Sequence, residues 1–472
     1  MNVIVYTRPR IKTFFHELAN HIACFDNVQF MSDHKGEEEI CIMDYYYKAK
    51  DDIEHHRAKE RHAFDFERIA LRCRYLRSLP KAEAILKARA MTLALERIIE
   101  KYQPDVIFGM VMDSYVLDIT DLIMRARNSQ YVGFLNNMIN GYSRLTARGE
   151  LIQLNEPSME MIENALNALG ASHYVPNMQK DFMWNTSPIS MYFTKYIKEK
   201  IKIIYYVFKK IIDRDPDNFY YNTVAAKSCM SCRSVDQIFF RRFEEKNWLQ
   251  KINAAKTNQK LIVYLPLQFY PECSVDYWGT QIQFSSFYSV VEKMIANTYS
   301  KMILLVKEHP SAMGLRKSKF YEQFSRNENI HLIPFDVSSN EVIEKSDMVL
   351  TWTGSVGVEA IMRDKPLMTF GEAYYDPGYG IGRLQSDEEL PGLESILVDY
   401  YTYTKIDHHQ LKKDLVTHML RGLIPGYIFP LDYNTKKNPL NPVQMNKLAQ
   451  GINEMVMNIK HNGSYGVRRG CV

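Results

Sequence analysis

Short apolar runs alternate with stretches of helical spacing along most of this chain. Val3–Tyr6 is apolar throughout, which predicts a strand, and Phe14, Phe15, Leu18 and Ile22 then recur at helical spacing over residues 11–24. Residues 82–102 place Ala84, Leu86, Ala88, Leu93, Leu95 and Ile98 at i, i+3 and i+4 positions, which predicts a long amphipathic helix. Buried strands are expected at residues 104–109, ending at Met112-Asp113-Ser114, and at 130–135. This alternation is the pattern of a doubly wound α/β sheet.

The polar stretch Glu244–Gln259 marks a boundary, after which the cadence is regular. Strands are predicted at 261–265, 302–306, 330–333, 347–352 and 366–370, with helices at 281–298, 316–326, 339–345 and 355–363. Strands separated by single helices predict a parallel sheet with right-handed crossovers. The expected organisation is an N-terminal unit over 1–255, a second Rossmann-like unit over 256–400, packing helices over 401–460 and a disordered tail over 461–472. Asn441-Pro442 caps and starts the last helix.

Residues 188–212 interrupt the first unit with lysines among isoleucine, tyrosine and phenylalanine. Such a segment reads as a basic amphipathic helix on an anionic membrane, or as a helix packed on its own domain with lysine stems lying along it. No run is long and apolar enough to span a bilayer, and the first strand begins at residue 3 without a signal peptide, so a cytoplasmic protein is expected, with contact at the inner face of the inner membrane through 188–212.

With 472 residues the chain exceeds one ordinary core, and a net charge of +4 gives no basis for nucleic acid as a partner. Its 7 cysteines show no disulfide spacing. Cys229 and Cys232 have the spacing of half a zinc site, but no second Cys/His pair completes it, so no metal is expected.

Candidate chemistry gathers where apolar runs stop at polar residues, since open α/β sheets bind ligands beyond the carboxyl ends of their strands. The run from Met302 to Val306 stops at Lys307-Glu308-His309-Pro310, and Pro310 holds His309 extended at the strand exit. There an imidazole can donate to a phosphate or serve as an acid. The next such exit is Thr353-Gly354-Ser355-Val356-Gly357, with two hydroxyls and two glycines where the chain turns into a helix. Glu359, one turn on, is placed to accept from ribose hydroxyls. Gln268 and Glu272 lie on the loop after the first strand of the second half. Asp113 is the matching carboxylate of the first half, a candidate base toward an acceptor hydroxyl. Lys307 is a candidate donor-binding cation, and Arg8, Arg10 and Arg144 are candidate acceptor-binding cations.

Leu265-Pro-Leu-Gln268, Lys307-Glu-His-Pro310 and Thr353-Gly-Ser-Val-Gly-Val-Glu359-Ala, with Lys365-Pro and Phe370-Gly after them, resemble bacterial capsule polysaccharide biosynthesis glycosyltransferases. That group includes the capsule β-Kdo transferases, and the His-Pro and Ser/Thr-rich motifs are also similar to those of GT-B sialyltransferases. The resemblance covers roughly residues 260–380 and implies a GT-B fold. It also implies nucleotide-binding roles for His309, Ser355 and Glu359, and no cofactor beyond a nucleotide sugar as substrate. A CMP-linked donor such as Kdo or another nonulosonic acid, and an oligosaccharide or lipid-linked glycan acceptor, follow as expectations. Retaining Kdo members carry a Gln-x-x-x-Asp loop for the nucleophile, where this chain has Gln268-Phe-Tyr-Pro-Glu272. A UDP-sugar transferase or epimerase of the same fold, and a non-catalytic polysaccharide-assembly protein, are the alternatives.

Overall fold

The computed structural model describes residues 1–472 except 155, 172–173, 175, 177–187, 231–234, 279–281, 429–441 and 463–472. Cys232, Asn441 and the tail from residue 463 therefore lie outside the described residues.

Two sheets organise the chain. The first contains β1 (Asn2–Thr7), β2 (Asn27–Ser32), β3 (Ile40–Cys41), β4 (Val106–Met110), β5 (Gln130–Asn136) and β6 (Tyr142–Leu145). The second contains β7 (Leu261–Pro266), β8 (Met302–Lys307), β9 (Ile330–Leu332), β10 (Met348–Thr351), β11 (Leu367–Phe370) and β12 (Ile381–Leu384). β13 (Leu423–Pro425) returns to the first sheet, antiparallel to β6. The first sheet runs β13-β6-β5-β4-β1-β2-β3 and the second β12-β11-β10-β7-β8-β9. In each, the first strand of the unit lies between the second and the fourth, so the winding reverses there. Both sheets are therefore Rossmann-like in their winding.

Side chains sort by the period of two. Ile4 and Tyr6 enter one core of the first sheet, while Val3 and Val5 enter the other. Leu261, Val263 and Leu265 face one layer of the second sheet, Ile262 and Tyr264 the opposite one. All six residues of β7 and all six of β8 are buried, as befits parallel strands covered on both faces. Each such aliphatic side chain contributes about 1.5–3 kcal/mol on burial.

Several elements differ from the sequence expectations. The helix expected over 281–298 is a 3-10 turn, Ile282–Ser285, followed by the helix Phe287–Ala296. That over 316–326 shortens to Ser318–Glu322 and a further 3-10 turn, Phe324–Arg326. A division at residue 255 falls inside the helix Trp248–Thr257, whose Trp248, Ile252 and Ala255 pack with the second sheet. The helix Met159–Gly170 likewise buries Ile162, Ala165 and Leu169 in that core. The last helix, Pro442–Asn462, puts Met445, Leu448 and Ile452 against the first sheet beside Phe14 and Leu18.

Candidate functional site

Gln268 sits just beyond β7, and its Nε2 donates to Thr351 Oγ1 on β10 at 3.1 Å. β7 and β10 are the neighbours at which the second sheet reverses its winding, so this bond closes the point where such folds hold ligands. The turn after β10 presses on the same side chain: a Cβ at Gly354 would lie 2.9 Å from Gln268 Nε2. Thr353 Oγ1 donates to Ser274 O at 3.1 Å, and Ser274 Oγ donates to Glu272 Oε2 at 2.6 Å. The turn and the Glu272 loop are thereby joined, and the Thr353 hydroxyl is engaged within the protein. Ser355 precedes the short helix Val356–Met362 and is half-buried.

His309 leaves β8 in the extended conformation that Pro310 imposes, φ −66 and ψ 131. Its Nδ1 accepts from Ser311 N–H at 3.1 Å, which in the neutral ring puts the proton on Nε2 as a donor. The loop is held from beneath. Glu308 accepts from His309 N–H at 2.5 Å and Tyr321 Oη at 2.5 Å, and it pairs with Arg316, a guanidinium that also donates to Gln268 O. Arg316 and Glu308 are both buried, so one ion pair locks the exits of β7 and β8 together. Sequence reading missed Glu308, Arg316 and Tyr321. The signal was a carboxylate at the exit of an apolar strand, which must find a cation, with Arg316 waiting in the following loop.

Glu359 lines a cavity of about 120 Å³ with Met138, Leu169, Tyr174, Asn340 and Met362. This pocket joins the second sheet's ligand edge to the helix Met159–Gly170.

Two of the candidate donor-side residues have their partners inside the protein. Lys307 points away from the edge: it is buried, its Nζ donates to Phe335 O at 3.2 Å, and burial pushes its pKa down. At Gly357 the space a side chain would take is filled by Tyr375, since a Cβ there would lie 1.9 Å from Tyr375 Oη. Its missing side chain admits Tyr375.

On the first sheet, Arg8 follows β1 and Asp113 follows β4, again the strands at which winding reverses. Arg8 Nη1 and Nη2 donate to the two Asp113 oxygens at 2.7 and 3.1 Å. Arg8 Nε donates to Tyr6 Oη at 2.9 Å, which donates to Asp33 Oδ2 at 2.9 Å. Phe219 and Tyr220 hold their rings 5.2 Å from the guanidinium. Burial opposes ionisation of Asp113, but Arg8 outweighs it and holds the carboxyl below the usual range. Arg8 is therefore an ion-paired positioner, not an open cation. Arg10 is exposed.

Arg144, on β6 and a candidate acceptor-binding cation, is buried. Its guanidinium lies 3.9 Å from the Tyr374 ring centre and 5.9 Å from that of Trp278. Nη1 has no hydrogen-bond partner among the described residues, and burial lowers the pKa of the group.

The two units meet. Arg77 Nη1 bonds Asp276 Oδ1 at 2.7 Å, and Arg74 Nη1 reaches Pro271 O at 3.4 Å. Cys273, between them in sequence, has its thiol pushed up by burial and by the charge of Glu272. Among the described residues no group of His, Cys, Asp and Glu is arranged to hold a metal ion.

Residues 190–389 match a family described as capsule polysaccharide biosynthesis protein. The capsule polysaccharide modification protein LipA of Neisseria meningitidis serogroup A is 25% identical over 130 residues, 28% of this chain, and the chain spans 17% of LipA's length. Among solved structures, the β-Kdo 2,7 transferase KpsC of Thermosulfurimonas dismutans is 11% identical with a TM-score of 0.33, over 78% of this chain and 89% of that one. The UDP-GlcNAc 2-epimerase of Methanocaldococcus jannaschii, bound to UDP-GlcNAc and UDP, is 11% identical with a TM-score of 0.25, over 89% of this chain and 98% of that one.

Proposed function

We propose that this chain, which across residues 190–389 belongs with the capsule polysaccharide biosynthesis proteins, is a glycosyltransferase that moves a sugar from a nucleotide donor to a growing surface glycan. The observation that carries the reading is the pair of contacts Arg77–Asp276 and Arg74–Pro271, which join two units whose winding-reversal edges bear Gln268, His309 and Ser355 on one sheet and Arg8 and Asp113 on the other.

In this reading the nucleoside occupies the cavity beside Glu359, whose carboxylate takes the ribose hydroxyls. The leaving phosphate meets the Ser355 hydroxyl and the Nε2–H of His309, whose tautomer Ser311 fixes. Donors preset where charge develops lower the barrier without reorganising during the reaction. Glu272, braced by Ser274, lies on the loop between donor and acceptor sides. Asp113 stays ionised beside Arg8 and orients the acceptor hydroxyl as a hydrogen-bond acceptor.

The donor of this proposal is CMP-linked and its sugar acidic. Supporting that choice, Arg144 offers an incompletely satisfied guanidinium against Tyr374, and a carboxylate is the group that satisfies it. Melting temperature in the presence of CMP, UDP or GDP tests the reading, because a ligand at 100 times its Kd adds about 2.7 kcal/mol to the native state. CMP should raise the midpoint most. A shift with UDP alone would move the assignment to a UDP-sugar transferase or epimerase. No shift with any of the three, in wild type and His309→Ala alike, would remove the nucleotide site.

A further inference from the structure

The helix Pro188–Ile212 packs one face on the helix Phe219–Met230 and leaves the other bare. Of the 17 large hydrophobic residues exposed among the described ones, 8 lie on this single helix: Ile197, Ile201, Ile204, Tyr205, Val207, Phe208, Ile211 and Ile212. Ile197, Ile201, Ile204, Phe208 and Ile211 recur at the spacing of one helix face, and the whole set covers an arc of about 160° at 3.6 residues per turn. Exposures run from 44% at Val207 to 71% at Ile212. The inner face carries Tyr206, whose ring packs on Tyr220 and Tyr221 at 5.9 and 5.6 Å. The flanks are lysines. Lys198 borders the apolar arc, Lys200 lies within it between Val207 and Ile211, and Lys202, Lys209 and Lys210 bond Glu199, Asp213 and Asn222.

A contiguous exposed apolar face of this kind needs a cover, and charge selects it. A second copy of the same face would set lysine flank against lysine flank. An anionic bilayer instead accepts the isoleucines and Phe208 among its acyl chains while the lysines stay at the headgroups. The helix is not apolar enough to cross a membrane, which leaves it lying in the interface. We infer that the Ile197–Ile212 face docks this protein on an anionic lipid surface. The consequence for the cleft follows from the next helix, whose Phe219 and Tyr220 enclose Arg8. The docking helix is thereby coupled to the Arg8 edge through its neighbour.

Co-sedimentation of the full chain with vesicles tests docking. The wild type should bind phosphatidylcholine vesicles containing phosphatidylglycerol about tenfold or more above pure phosphatidylcholine, and salt should weaken the binding. Ile204→Ser with Phe208→Ser should abolish it, and so should Lys198→Glu with Lys200→Glu. Both variants change exposed or half-buried positions and should keep the wild-type melting temperature and its response to CMP. Failure of the wild type to bind, or equal binding to neutral vesicles, would overturn the inference. So would a stable dimer dissolved by Phe208→Ser, because a second copy would then own the face. A missing CMP response with intact vesicle binding would count against the donor assignment and leave docking standing.

Discussion

Arg8 and Asp113, 105 residues apart in sequence, close a two-bonded ion pair across β1 and β4 at 2.7 and 3.1 Å. Because the folded carboxyl titrates below its ordinary value, the pair's contribution is full above about pH 4, the unfolded carboxylate range, and fades as pH falls through the lowered value. Asp113→Asn should therefore cost stability at pH 7, and the difference from wild type should shrink as the solution is acidified below pH 4. Denaturant midpoints at several pH values measure it. A gap that widens on acidification contradicts the assignment.

Glu308 and Arg316 are the interior counterpart. Glu308→Ala leaves a buried guanidinium unpaired and should cost about 3–5 kcal/mol. Glu308→Leu with Arg316→Met should recover much of that, since two apolar groups need no partner. The double variant should still bind nucleotide more weakly, because the exits of β7 and β8 are no longer tied. Unchanged affinity in a well-folded double variant would reduce the pair to a structural role.

His309→Ala removes the hydrogen bond with Ser311 on a partly exposed loop and should cost under about 1.5 kcal/mol of stability. Its transfer rate should fall at least about tenfold, in keeping with loss of a leaving-group partner. Activity equal to wild type in the purified variant would withdraw the assignment.

Gly354 and Gly357 should separate cleanly. Gly357→Ala drives a methyl into Tyr375 and should lower stability by about 1–3 kcal/mol or more. Gly354→Ala meets only the end of the Gln268 side chain, which can swing aside, so its melting temperature should hold while nucleotide affinity falls. The reverse pattern would mean that the ligand approaches Gly357.

Arg144→Met replaces a buried, incompletely bonded guanidinium with an apolar chain of similar reach. Stability should rise by about 1–4 kcal/mol, by the logic of buried charges replaced by hydrophobes. Transfer from an acidic-sugar donor should drop at the same time. A fall in stability would show that Arg144 is a fastening of the interface instead.

The sequence by itself determined the elements whose neighbours along the chain suffice to define them. β7, β8, β10 and β11 were legible because strands covered on both faces are apolar along nearly their whole length. His309 was legible because Pro310 constrains it through a covalent bond. β2, beside the two-residue edge strand β3, and the edge strand β12 are only partly buried, and β13 has three residues, so their periodic signal is weak. What only the tertiary structure decided is which partner each polar group meets. Gly354 and Gly357 look alike in the chain, yet one borders Gln268 and the other makes room for Tyr375. Arg8 looked like an open cation until β4 brought Asp113 beside it, and Lys307 like a ligand until Phe335 took its proton donor. A strand's burial is written in its own residues, whereas an ion pair forms between groups that only the winding of the sheet makes neighbours.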